Sequence, residues 1–493
     1  MRSYSYILIL FSFGSISAQS LNAISHSNLS GTYGSLSNPA FAAGSIDRLS
    51  INVAGFGVNI QNNTLRSDLR FSMIELLSFK SPRNDEAEFQ APYFSIPRKS
   101  VINPNAYVNL DALQFGIQVA FNKKWSVFGY TRERAFGNFS NLDYDAIRFL
   151  SNEGENYSEG QLNLSFDASG LSYQELALGS AIQLLDKRDH FWKVGATYKI
   201  LNGRAIYAVN VPYFKTSIFN DGFSVKSEIN VIETSLDFLT QNPTDIFLRP
   251  RIGRGNALDI GAVYEHRPKA KKHTYRRNNP KLKNKNFNAR NLIKYDYRIA
   301  FSILDIGSIT FNQEAVKKTS YILDLTQSVD GYLRSDHDDV LDLLEDSVEL
   351  SEGSGAMSIY LPATLNLTYD QCLQNDYFFS IHYVQRLTSK KGLSTYIPSH
   401  LLLQLRKETE HCSFALPLFI MPITRSYTLG ASAQVGPVFL GTNNIGTLFF
   451  KKIYNPSFYA GLFYNVRYKK DPTIESYRSF KTRRKKMYHW SPM

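Results

Sequence analysis

The chain has 493 residues, 14% of them aromatic and 20% charged, with a formal net charge of +12 and two cysteines. No stretch beyond the first eighteen residues approaches the roughly 18 consecutive apolar positions that a membrane helix needs, which excludes a helical membrane protein. Two cysteines in a chain this long exclude a disulfide-built scaffold. The basic balance calls for acidic neighbours.

In chain order, the first segment carries Arg2, an apolar run from Tyr6 to Phe13, and then Gly14-Ser15-Ile16-Ser17-Ala18. That is the layout of a secretory signal peptide over 1–18, with cleavage expected after Ala18. Export leaves a soluble secreted protein, a surface protein or an outer-membrane barrel. The 30 tyrosines and 34 phenylalanines favour the barrel, which uses aromatics as interfacial girdles. For such a protein nucleic acid is not an expected partner.

From 48 to 470 the dominant signal is a period of two. Apolar Trp192, Val194, Ala196, Tyr198 and Ile200 alternate with Lys193, Gly195, Thr197 and Lys199; Tyr295, Tyr297, Ile299, Phe301 and Ile303 alternate with Asp296, Arg298, Ala300 and Ser302. Ile359, Leu361, Ala363, Leu365, Leu367 and Tyr369 form another series, and Phe458, Ala460, Leu462, Tyr464, Val466 and Tyr468 a late one. The same alternation covers 113–121, 176–184, 223–231, 258–264 and 377–387, and weaker candidates lie near 160–166 and 436–442. A soluble β-sandwich also alternates, but runs of about ten residues match the tilted strand of a membrane barrel better than the five or six of a soluble sheet. The expected fold is therefore all-β: an antiparallel up-and-down transmembrane barrel of about 14 to 18 strands.

Hairpin turns are expected at Asn122-Lys123-Lys124, at Asn202-Gly203 as a type I′ turn, at Lys390-Lys391-Gly392 and at Val435-Gly436-Pro437. An even strand count puts both ends in the periplasm. Counting back from the last strand then sends 61–105, 137–159, 267–291, 328–356 and 443–456 to the outer side, and 240–255 inward.

Between the strands, 269–290 is strongly basic. The stretch 330–352 is acidic with a helix-like spacing of Val340, Leu341, Leu343, Leu344 and Val348, so a short helix over the barrel mouth, docked on the basic loop, is expected. The basic loop could meet lipopolysaccharide phosphates or an acidic partner. Inward positions predict a polar lumen with Lys193, Arg298, His382, Arg386 and Arg467 as lining residues, beside Lys199, Lys226, Glu228, Asp259, Glu265 and Asp296. Cys372 and Cys412 fall near turns on one rim with two strands between them, where a disulfide could form only if the turns bend together. No hydrolase elbow, zinc helix, phosphate loop or Cys/His cluster is present in the sequence, so neither an enzyme nor a metal or other cofactor is expected. The tail 471–493 is basic and aromatic-tipped, and reads as disordered or as a docking segment for another envelope protein.

Two stretches carry a resemblance. SHSNLSGTYGSLSNPAFAA, at 25–43, resembles the segment before the first strand in the FadL and PorV group of barrels, through Asn38, Pro39 and Ala40. LSINVAGFGVNIQNN at 49–63 and GPVFLGTNNIGTLF at 436–449 resemble an uncharacterised outer-membrane family of Bacteroidetes related to that group. The resemblance implies an N-terminal plug over 19–47, with Asn38 to Ala40 inside it, and a location in the outer membrane in contact with its lipid and lipopolysaccharide. The ligand-pocket residues of the fatty-acid transporters find no match. Two functions follow: passage of a small molecule, hydrophobic or not, or service as a barrel subunit of a protein secretion or assembly complex. A soluble β-rich adhesin is a third.

Overall fold

A computed structural model describes residues 22–63, 66–68, 93–95, 105–122, 124–141, 162–187, 189–219, 222–234, 252–268, 274–276, 286–288, 295–328, 348–373, 376–388, 395–422, 424–450 and 452–468. The expected signal peptide, the acidic stretch up to 347, the Lys390-Lys391-Gly392 turn and the tail 471–493 lie outside these residues; the last part of the acidic stretch, 348–352, is strand rather than helix.

Alternation over 47–467 builds a closed antiparallel barrel of 14 staves. In chain order the strands are β1 Asp47–Asn62, β2 Ala106–Ala120, β3 Trp125–Ser140, β4 Leu162–Lys187, β5 His190–Phe219, β6 Gly222–Thr234, β7 Gly253–His266, β8 Tyr297–Phe311, β9 Val316–Ser328 and β10 Val348–Ser354. There follow β11 Met357–Tyr360, β12 Thr364–Cys372, β13 Tyr377–Arg386, β14 His400–Glu408, β15 Cys412–Met421, β16 Ser426–Leu429, β17 Ala431–Val435, β18 Val438–Thr442 and β19 Ser457–Arg467. β1 pairs with β2 on one side and with β19 on the other, which closes the wall and leaves it no edge. Asp47 and Arg467 are register partners, so the chain enters and leaves at one end, here the terminus end.

The two faces differ as a membrane barrel requires. On β4, Leu176, Leu178, Ile182 and Leu184 point outward and exposed, while Tyr173, Glu175, Ala177 and Ala181 point inward and buried. Phe301, Leu367, Leu405, Leu416, Leu440 and Tyr464 extend this apolar outer belt around the wall. Apolar surface on this scale would be strongly unfavourable in water and is at rest in hydrocarbon.

The turns at 122–124 and at Val435-Gly436-Pro437 are present, the first closed by Asn122 Oδ1 accepting from Lys124 N and Trp125 N, the second by Gly436 at φ 57°. Asn202-Gly203 is not a turn: β5 runs straight through it for 30 residues. The pair marks a change of partner, since β5 pairs with β7 up to Gly203 and with β6 from Tyr207 onward. A glycine is needed there because a Cβ on Gly203 would lie 2.8 Å from the Phe311 ring. Above that level the upper parts of β4 and β5 continue with β6, β9 and β10 as a sheet extending past the rim.

Treating these extensions as further staves reverses the parity, and two segments change sides as a result. The basic 267–291 joins β7 to β8 at the terminus end, whereas 235–251 connects Thr234 to Ile252 at the far end. The acidic stretch leaves from β9 at the far end, so the two charged segments are anchored at opposite ends of the wall.

Three phase slips were also invisible to a simple period of two. β-bulges at Leu113/Phe115 on β2 and at Ile303/Ile306 on β8 flip the alternation, and the Leu361-Pro362-Ala363 break between β11 and β12 puts Ile359 and Leu361 inside rather than outside. Tyr295, just before β8, is likewise buried.

Candidate functional site in the barrel lumen

The N-terminal segment 22–43 lies against inward side chains of the wall. It contains two short helices, α1 Asn22–Ser25 and α2 Thr32–Ser37, and a 3-10 turn at Pro39–Ala42. Asn38 caps that turn by accepting from Ala40 N at 2.9 Å, and Pro39 supplies the fixed φ that starts it. The same Asn38 amide donates to the wall carbonyl of Phe301 at 2.9 Å, and Ser302 Oγ donates to Ser37 O at 2.7 Å. Beneath the turn sit Gly195 and Gly261, register partners on β5 and β7. A Cβ on Gly195 would approach Pro39 C to 2.6 Å, and one on Gly261 would approach Asn38 Oδ1 to 2.1 Å. The two glycines thus form a socket shaped for Asn38-Pro39-Ala40.

Other wall groups hold the rest of the segment. Lys193 Nζ donates to Ala43 O at 2.8 Å, Arg298 Nη2 to His26 O at 2.8 Å, and Asn465 Nδ2 to Leu29 O at 3.0 Å. Glu408 accepts from Asn28 N at 3.0 Å and from Asn28 Nδ2 at 2.8 Å. Tyr33 packs edge-on against Phe439, ring centroids 4.9 Å apart, within a buried cluster that includes Phe128, Tyr459 and Phe463. The contacts are numerous, yet they are side-chain contacts and the segment belongs to no wall strand.

The lumen is stratified. At mid-height, Arg132, Arg134 and Lys199 meet Asp111, Glu175, Asp259 and Asp305: Lys199 Nζ lies 2.7 Å from both Asp259 and Asp305, Arg134 2.8 Å from Asp305, and Arg132 2.5 Å from Asp111. Charges buried in this way persist because each has opposite charges beside it. Toward the terminus end a second group joins Arg406, bidentate on Asp370 at 2.8 and 2.9 Å and 2.8 Å from Glu408, to Arg298, 3.0 Å from Asp370. Toward the far end the interior turns apolar, with Tyr107, Phe136, Ile206, Phe311, Ile359 and Ile397 in one cluster.

His26 stands at the contact between segment and wall, its ring 4.1 Å from that of His382. Burial first, then the guanidiniums of Arg406 and Arg298 and the ring of His400, push its imidazole down to about 3. His382 in turn bonds Thr368 through Nδ1 at 2.8 Å.

Of the expected lumen residues, Lys193, Arg298 and His382 come together around the N-terminal segment, and Asn38, Pro39 and Ala40 are buried in it. Arg386 is apart, 4.8 Å over the Tyr396 ring toward the far end, and Arg467 is at the terminus rim, 3.6 Å from Asp47. Lys226 is not luminal; it pairs with Asp324 on the exposed extension, and Glu228 lies on the same extension strand. Cys372 and Cys412 are free thiols at the ends of β12 and β15, with β13 and β14 between them. Sequence reasoning missed Arg132, Arg134, Asp111, Glu175, Asp305, Asp370 and Arg406. For Arg132 and Arg134 the signal was present, two arginines two residues apart on a strand and so on one face.

A family described as "Family of unknown function (DUF5723)" matches residues 39–443. No curated protein matches the chain. Among solved structures the chain is similar to the Ralstonia pickettii toluene transporter TbuX, at 10% identity, TM-score 0.39, covering 93% of this chain and 100% of that one. It is also similar to a deltaS2S3 mutant of the TodX monoaromatic hydrocarbon channel, at 8% identity, TM-score 0.41, covering 89% and 95%. A Pseudomonas aeruginosa FadL homologue is similar at 9% identity and TM-score 0.28, covering 92% and 100%.

Proposed function

The chain belongs to the DUF5723 family, whose function is unknown, and on the architecture of its lumen we propose that it is an outer-membrane barrel giving gated passage to a small hydrophobic molecule. The observation that carries this reading is the N-terminal segment, docked in the lumen on a glycine socket and held by side-chain hydrogen bonds rather than built into the wall. A segment held in this way can leave without breaking a strand pairing, which is what a plug requires. The apolar cluster toward the far end supplies a surface on which a hydrophobic solute can rest before it meets the charged layer.

In this mechanism the plug closes the lumen, and its displacement opens a path past Lys193, Arg298 and His382. The named neighbours, a toluene transporter and a monoaromatic hydrocarbon channel, handle solutes of the class proposed here. The test is uptake into proteoliposomes by the full chain and by a form lacking 22–43. Faster uptake of small solutes by the shortened form supports a plug. Equal and negligible uptake by both would overturn the reading.

A further inference from the structure

A cavity of about 120 Å³ lies at the terminus end between the N-terminal segment and the wall. The wall contributes Lys193, Glu265, Arg267 and Arg298, and the segment contributes Asn28 and Phe41. Lys193 Nζ is 3.1 Å from Glu265 Oε1, and Arg267 donates its Nε to Glu265 Oε2 at 2.8 Å while its guanidinium lies 3.5 Å over the Phe191 ring. One carboxylate therefore serves two cations.

The third cation, Arg298, uses its Nη atoms on Asp370, His26 O and Asn28 Oδ1, and its Nε is buried with no hydrogen-bond partner among the described residues. Asp370 is already bidentate to Arg406, which also holds Glu408. Among the described residues, the ion-paired groups at this end are the cations Lys193, Arg267, Arg298, Arg406 and Arg467 and the carboxylates Glu265, Asp370, Glu408 and Asp47, a surplus of one positive charge. Asp186 also lines the cavity but is exposed to solvent, where it is screened.

We propose that this cavity is a binding site for a small monocarboxylate, whose occupancy holds the N-terminal segment in the lumen. A single negative charge matches the surplus. The Arg and Lys donors suit a carboxylate, and the Phe41 and Phe191 rings accept its apolar part. Because one side of the lining, from Ser25 to Gly31 and Phe41, belongs to the segment, the site is complete only while the segment is docked, and by linkage a bound carboxylate stabilises that state. The proposal depends on the docked segment alone and stands whether or not the barrel conducts.

The experiment uses the full-length barrel in detergent, titrated calorimetrically with acetate and benzoate, with chloride and phosphate as comparisons at equal ionic strength. Amide exchange of residues 24–43 is followed in parallel. The expected result is saturable carboxylate binding, slower exchange of 24–43 when it is bound, and affinity lowered about tenfold or more by Lys193→Met and by Arg267→Gln. Arg267→Gln is the decisive variant, since its guanidinium meets Glu265 and Phe191, both wall residues, and the segment keeps its own contacts. No saturable carboxylate binding, chloride or phosphate binding as tightly, or an unchanged affinity in Arg267→Gln would each overturn the proposal.

Discussion

At the scale of single residues the account turns on how little space the lumen leaves. Gly261 faces Asn38 with no room for a Cβ, so Gly261→Val is expected to expel the turn while leaving the wall closed. Amide exchange over 24–43 should accelerate tenfold or more, whereas Gly353→Ala, where nothing lies within 4 Å of the added carbon, should leave it unchanged. His26 gives a pH test. Its docked imidazole is held down to about 3 against an ordinary 6.5, so the undocked state takes up the proton more readily, and docking weakens as pH falls from about 6.5 toward 3. Protection of 24–43 should decline on acidification through that window, and His26→Phe should flatten the decline. Buried charge should matter far more than exposed charge. Arg134→Met leaves the buried Asp305 without its 2.8 Å partner and should cost about 3–5 kcal/mol. Removing the Lys226–Asp324 pair, more than half exposed on both sides, should cost no more than about 1 kcal/mol; chemical denaturation of the folded barrel measures both.

At the scale of elements, the alternating runs near Trp192, Ile299 and Phe458 were legible because a barrel wall repeats one physical rule, apolar outside and polar inside, at every second residue. The N-terminal turn was legible through Asn38, Pro39 and Ala40, whose capping chemistry is local. What the sequence hid was set by partners far along the chain. Asn202-Gly203 has the composition of a hairpin turn, yet its glycine answers to the Phe311 ring on another strand. Asp305 sits at φ 60° inside a bulge, and that bulge alone aims its carboxylate at Arg134 and Lys199. A period-of-two reading carries straight through such a slip and assigns the wrong face beyond it. The same cause hid Ile359 and Leu361, which fill the far end of the lumen instead of facing lipid.

At the scale of the molecule, strand parity decides which side each long segment serves, and it moves the basic 267–291 to the end that carries both termini. The basic tail leaves from that same end, after Arg467, while the acidic stretch departs from the other. Around this axis the interior passes from an apolar far end, through a paired charged layer, to a segment seated on glycines. The central claim is that this segment closes the lumen, and a tether tests it most directly. With Cys372 and Cys412 changed to Ser, a disulfide between Thr32→Cys and Ser50→Cys would fix the segment to the wall where the two hydroxyls already meet at 3.4 Å. Single-channel conductance in a planar bilayer should be low while the tether is oxidised and should rise, with openings, after reductant is added. Equal conductance before and after reduction, with the disulfide confirmed, would contradict the account.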